Sequence, residues 1–347
     1  MNQDNQEKTL NLYPIDYPFE TLHSRITAKS PKLILNPDFQ RKYKWDKDGW
    51  ERSSKFIESC LMRIPLPSCY FAEFEDGKHM VIDGVQRLTT IVRFFNDEFA
   101  LEGLSSFEEL EGKKFSEIGQ YKSELESTTI RCIILRKENP KYLIREIFSR
   151  LNQGAVELSD QEIRHAIYPG EFDNLLSELA NLETVKKFGL GKDGKKVKDS
   201  LEAEELVLRY FALKGTLDNY QDRLSKYLDE YTVSKQSITL EEIEILRNEF
   251  NSTIDKCVAI FERDVFIDTT KQKRRQAIVY YDLLMYSFSD IDKEILMKNK
   301  DSIQNKFKEL CKLDDFQRTL SSGLQNKSSI LRRRKLWGDL LEAAINE

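Results

Sequence analysis

The run Val81-Ile82-Asp83-Gly84-Val85-Gln86-Arg87-Leu88-Thr89-Thr90 sets an acid, a glycine, an amide and a guanidinium almost side by side. It reads as the end of a short buried strand, a sharp Asp-Gly turn and the opening of an amphipathic helix. Such a turn aims free backbone N–H groups and the positive end of a helix dipole at one spot, which suits a phosphate. Arg87 adds a planar cation in the first helical turn, and Gln86 beside it is placed to hold phosphate oxygens or orient a water. Asp83 can cap the helix through its carboxylate, or hold magnesium near a bound phosphate. The bland reading of Arg87 is a surface pair with Glu73 or Asp97.

A second Gln-Arg pair, Gln40 and Arg41, lies in the Pro-initiated stretch Asn36 to Trp45 among three aromatics. The aromatics either anchor a loop or wall a nucleotide pocket. Phe148 to Gly154 closes a helix, with Asn152 or Gly154 suited to the left-handed position after its last turn. Gly189 to Lys196 resembles a P-loop, but Lys196 stands where a magnesium-binding hydroxyl is needed and no buried strand precedes it. It reads as a solvated lysine-rich loop. Basic runs at Lys271–Arg275 and Arg332–Lys335 read as solvated faces, with DNA phosphates as the alternative. His23, His79 and His165 show no metal-ligand spacing, and neither a His-Asn-His pattern nor a serine nucleophile elbow is present.

The elements around these residues divide the chain. Lys32–Leu35, Cys69–Ala72, Met80–Ile82 and Thr129–Leu135 read as strands. Helical spacing covers Trp50–Met62, Tyr142–Leu151, and Leu88–Phe95 with Leu88, Ile91, Val92 and Phe95 on one face. From Ser159, where Ser159-x-x-Glu162 forms a capping box, the period is helical almost throughout. Ser200–Lys214, Leu240–Phe261 and Gln276–Phe288 belong there, with Tyr210, Phe211, Tyr220, Tyr227 and Tyr231 as core aromatics. The expected architecture is α+β over residues 10–155 and all-α over residues 156–347.

The whole chain bounds what this site can serve. With 347 residues, 40% hydrophobic and 33% charged, it fits a soluble globular protein of one large domain or two ordinary ones. A net charge of −5 requires any nucleic acid to meet a local basic face. Five scattered Cys without a Cys-x-x-Cys pair argue against a structural zinc site and a disulfide framework. A polar amino terminus and no membrane-length apolar run point to the cytoplasm.

Taken together, the motifs resemble the amino-terminal domain of GmrSD-type modification-dependent restriction enzymes. The family's loop is matched from Pro37 to Trp45 as Pro-x-x-Gln-Arg-x-Tyr-x-Trp, with Gln40, Arg41, Tyr43 and Trp45 in place. Its Pro-x-Pro strand approach is matched by Pro65-Leu66-Pro67. The signature Ile-Asp-Gly-Gln-Gln-Arg-Leu-Thr-Thr is matched from Ile82 to Thr90 at all positions but Val85. Phe-x-Arg-Leu-Asn-x-Gly followed by Leu-Ser-x-x-Glu matches Phe148 to Glu162, and Glu205–Leu213 resembles the family's helical part.

The resemblance implies a ParB/sulfiredoxin-like α+β fold with helices behind it. It implies a magnesium-dependent NTPase of unspecified nucleotide preference, serving as sensor or regulatory subunit of a phage-defence restriction system. Asp83, Gln86 and Arg87 would act at the phosphates, with Asp83 on Mg2+. Gly84, Gln40, Arg41 and Asn152 would line the nucleotide. Val85 in place of the first signature Gln leaves two outcomes. It removes hydrolysis if that Gln is catalytic, and changes nothing if the side chain points into the core. With no His-rich nuclease residues before Glu347, cutting is expected from a separate nuclease subunit. The alternative is a non-catalytic ParB-like DNA-binding or adaptor protein, and direct nicking by the signature site is a third option.

Overall fold

The signature strand is buried along four of its five residues because it runs inside a sheet with neighbours on both sides. The computed structural model describes residues 9–35, 45–46, 49–151, 159–188, 201–272 and 274–346, without the Ser149 side chain. It divides into two compact units, Met1–Leu158 and Ser159–Glu347.

The first unit holds β1 (Leu12–Pro18), α1 (Phe19–Thr27), β2 (Leu33–Ile34), α2 (Glu51–Leu61), β3 (Cys69–Glu73) and β4 (His79–Asp83). It continues with α3 (Val85–Phe95), α4 (Tyr121–Ser127), β5 (Thr129–Leu135) and α5 (Lys141–Leu151). The sheet order is β1-β5-β3-β4-β2. β5 lies antiparallel to β1 and parallel to β3; β4 lies antiparallel to β3 and parallel to β2. In β5 the alternation does the positioning: Ile130, Cys132 and Ile134 turn inward, while Thr129 and Arg131 face solvent. Arg131 meets Asp16, its partner across the β1–β5 ladder, through two 3.0 Å hydrogen bonds. Phe19, Leu22, Ile57, Phe71, Val81, Leu88, Ile91 and Phe94 fill the core.

Strand β1 and helix α1 were not anticipated. Pro14 and Pro18 speak against a strand, and only at a sheet edge can a missing N–H be tolerated. β1 is such an edge, and its core-packing side chains, Tyr13, Ile15 and Tyr17, are only partly buried. On α3 the fully buried aromatic is Phe94, not Phe95. Phe95 stacks on Phe115 with ring centroids 4.2 Å apart.

The second unit is helical: α6 (Asp160–Ile167), α7 (Glu171–Ala180), α8 (Glu183–Lys186), α9 (Glu202–Leu213), α10 (Leu224–Ser234) and α11 (Leu240–Phe261). After these come α12 (Ile278–Phe288), α13 (Lys293–Lys298), α14 (Lys300–Lys312), α15 (Asp314–Ser321) and α16 (Lys327–Asn346). The α+β unit followed by an all-helical one is the architecture expected from the sequence. The Ser159 capping box forms: Glu162 N–H donates to Ser159 Oγ at 3.2 Å and Ser159 N–H to Glu162 Oε2 at 2.7 Å. Tyr210, Phe211 and Tyr220 are buried, and Tyr227 and Tyr231 pack against them as part of one core.

Arginines fasten this unit from within. Arg164, its side chain 1% exposed, donates to Asp229 at 2.8 Å, Glu205 at 3.0 Å, Gln161 at 3.1 Å and Ser225 Oγ at 3.0 Å. One guanidinium thereby joins α6, α9 and α10. The carboxy-terminal basic run is not a solvated face either. Arg332 pairs with Asp315, and Arg333 is buried and donates to the carbonyls of Thr319 and Leu324. Arg334 donates to the carbonyls of Leu213 and Gly215 and lies 3.6 Å from the Tyr286 ring centroid. Three of its four cations thus have partners within the chain, while Arg332 and Lys335 stay exposed. The other run stays exposed at Lys271, Arg274 and Arg275.

Two outcomes follow. Arg164→Ala takes a buried guanidinium away from the half-buried Asp229 and from Glu205, and should cost about 3–5 kcal/mol of stability, read as a lowered urea midpoint. His79 in β4 is held below its ordinary value of 6.5 by burial and by the Arg25 charge, against the smaller opposing pull of Glu73. A base with a depressed folded pKa stabilises the fold above the unfolded value and loses that contribution as pH falls through it. Between about pH 8 and pH 5 the wild type should therefore lose stability more steeply than His79→Gln in parallel melts.

Candidate functional site

Gly84 is where the site is made. Its φ of +101° lies in the left-handed region, which is cheap only for glycine. An added Cβ would also collide with Cys69 Sγ on the neighbouring strand. The chain leaves β4 at Asp83, reverses at Gly84 and enters α3 at Val85. Leu88 N–H returns to Gly84 C=O at 2.9 Å, so the helical ladder starts at the glycine. No side chain caps this end. The first turn of this eleven-residue helix, Val85 to Arg87, thus starts without a side-chain cap.

Asp83 does not cap, because its carboxylate is turned to Arg87. Asp83 Oδ2 accepts from Arg87 Nη2 at 2.9 Å, with side chains 35% and 13% exposed. Neither Glu73 nor Asp97 is the partner: Glu73 lies 3.8 Å from Arg136, and Asp97 accepts from Ser116 N–H at 2.8 Å. Arg87 also donates to the carbonyl of Pro67 and, at 3.2 Å, to that of Ser68. This explains the Pro65-x-Pro67 stretch, which has too few N–H groups to engage its carbonyls locally and presents them to the guanidinium. A bulge between Tyr70 and Phe71 bends β3 beside Asp83, whose ladder partner is Tyr70.

Val85 is half-buried and packs against the core of the first unit. Gln86 follows on the half-exposed face, its carbonyl accepting from Thr90 Oγ1 at 2.9 Å. Trp45 packs on Phe56 at 5.7 Å between ring centroids, with the Arg52 guanidinium 5.1 Å from its own ring. This aromatic is a loop anchor. Gln40, Arg41, Asn152 and the P-loop-like run Gly189–Lys196 lie outside the described residues.

Sequence reasoning missed Cys69. Its thiol sits against Gly84, and its ladder partner is Cys132. Both are buried, and the Cys132 thiol is pushed far up by its hydrogen bond with Cys69 and by burial. A buried thiol shifted in this way, as at Cys132, is a packing group and not a nucleophile. The only signal in the sequence was a small buried residue opposite a glycine turn.

The donor set fits a phosphate: uncapped helical amides, a left-handed glycine and a half-exposed polar residue. For magnesium the chain supplies one carboxylate already bonded to Arg87. That is enough only for an ion completed by phosphate oxygens and water. No helix among the described residues is long and apolar enough to cross a membrane.

Residues 19–169 match the family described as GmrSD restriction endonuclease, N-terminal domain. Comparisons with curated proteins and with solved structures find no match.

Gly84→Ala forces a Cβ into Cys69 and a disfavoured φ, and should destabilise the protein by about 1–3 kcal/mol in thermal or urea unfolding. A variant as stable as wild type would mean that the turn has another conformation.

Proposed function

With residues 19–169 as a GmrSD restriction endonuclease N-terminal domain, we propose that this chain is the NTP-binding, NTP-hydrolysing regulatory component of a DNA-restriction, phage-defence system. The observation that carries the reading is the start of α3 at a left-handed Gly84 with no side-chain cap, beside Asp83, Gln86 and Arg87. Phosphate oxygens would lie over the first-turn amides, where the helix dipole favours negative charge. Gln86 would orient the attacking water, and Asp83 would hold Mg2+ through carboxylate oxygen not bonded to Arg87. A bound magnesium ion would neutralise charge between phosphates. Arg87 would act first as a brace that holds Asp83 and the Pro67–Ser68 segment against the turn, and second as a nearby positive charge. Gln40, Arg41 and Asn152 remain candidates for the nucleotide's other contacts. These 347 residues have no His-Asn-His pattern, so DNA cleavage would come from nuclease residues outside them.

One observation favours a second reading, a nucleotide-gated or DNA-binding adaptor on a ParB-like scaffold that does not turn over. The Arg87 guanidinium is already occupied by two carbonyls and Asp83, which leaves it less to give a transition state. The exposed Lys271, Arg274 and Arg275 would then be its DNA-facing cations, and affinity would fall steeply with salt.

Phosphate release from ATP, GTP, CTP and UTP with Mg2+, with and without DNA, separates the two. The first reading expects turnover that drops on the order of a hundredfold in Gln86→Ala with the melting temperature unchanged. Because Val85 packs inward, Val85→Gln should alter that turnover by less than about threefold. Binding in a calorimeter without release identifies the adaptor, and absence of both binding and release overturns the assignment of this turn.

A further inference from the structure

The helical unit brings together three metal-ligating side chains that no sequence motif pointed to. His165 ends α6, Asp173 lies in the first turn of α7 and Glu204 in the first turn of α9. Their ligand atoms all lie within 4.8 Å of one another. His165 Nδ1 is 2.9 Å from Asp173 Oδ2 and 3.9 Å from Glu204 Oε2. The geometry points to a divalent transition-metal site, for Zn2+ or Mn2+, formed by His165, Asp173 and Glu204.

Four features carry this. First, the carboxylates are desolvated, with side chains 8% and 10% exposed. Carboxylates held this close and this buried favour a cation between them. Second, His165 Nδ1 lies within 4 Å of an oxygen of each carboxylate, 2.9 Å from Asp173 and 3.9 Å from Glu204, so that one ion could take all three. An ion with bonds of about 2.0–2.2 Å to each atom needs donor separations of about 3 Å, which small side-chain shifts supply here. Third, Ser177 Oγ donates to Glu204 Oε1 at 2.8 Å, turning Oε2 toward the other two ligands. Ligating carboxylates are commonly fixed by such an outer hydrogen bond. Fourth, His165 is 29% exposed, which leaves an ion path and room for a water ligand. One imidazole nitrogen with two carboxylates suits borderline ions rather than Ca2+, which takes oxygen ligands, or Cu(I), which takes sulfur. An ion here would pin the ends of α6, α7 and α9 together independently of the Asp83 turn.

The test uses the full chain stripped with chelator and titrated calorimetrically with Zn2+ and, separately, Mn2+. The expected result is one equivalent bound by at least one of them with a raised melting temperature. Asp173→Asn and Glu204→Gln, each shown folded by circular dichroism, should weaken binding at least about tenfold. Asp83→Asn should bind as wild type does, which separates this site from the proposed nucleotide site. No saturable heat from either ion in the wild type overturns the proposal. So does undiminished binding in folded Asp173→Asn and Glu204→Gln, which would leave the trio as a hydrogen-bonded packing cluster.

Discussion

The first unit depends on a backbone reversal that has no room for a side chain. At Gly84 a buried strand must become a helix within one residue, with the Cys69 sulfur pressed against the turn. Everything near it serves that reversal. Val85 and Leu88 pull the helix onto the core, the β3 bulge shapes the strand alongside, and Arg87 ties the new helix back to both Asp83 and the preceding loop. Because the capping position is a glycine and the nearby acid faces its own arginine, the helix begins without a side-chain cap.

What the sequence disclosed depended on how local the physics was. Thr129–Leu135 was readable because β-branched residues alternate with polar ones, and the structure keeps those bounds. Leu240–Phe261 was readable because its period runs unbroken for six turns and a Thr239 capping box opens it. Leu12–Pro18 was not readable: two prolines and an acid make sense only once the strand is known to lie at an edge. At the site, the acid, glycine and arginine were legible as a phosphate-type turn. Their actual partners were not, since Pro67, Ser68 and Cys69 reach Arg87 and Gly84 through sheet pairing. His165, Asp173 and Glu204 carry no spacing signature, because three helix ends converge on them from separate parts of the chain.

Charge runs show the same limit from the other side. Arg332–Arg334 looks like a basic patch in one dimension, yet its members end on Asp315, on four backbone carbonyls and against Tyr286. Guanidinium groups suit this use because each carries five donors in a fixed plane and can satisfy carbonyls left open at segment ends. Lys271, Arg274 and Arg275, on a loop with fewer internal acceptors, keep the exposure that their composition suggests.

The placement of these arginines sets an order of assembly. Helix α16 supplies Trp337, which is fully buried, and its Arg333 and Arg334 satisfy carbonyls at residues 213, 215, 319 and 324. Those segments emerge from the ribosome before the helix that completes them. The α+β unit can close as soon as β5 and α5 are made, whereas the helical unit waits, with apolar surface uncovered, until its last twenty-residue helix is released. This unit is therefore complete only once α16 has left the ribosome, and the interval before α16 docks is when it is most exposed to aggregation and proteolysis.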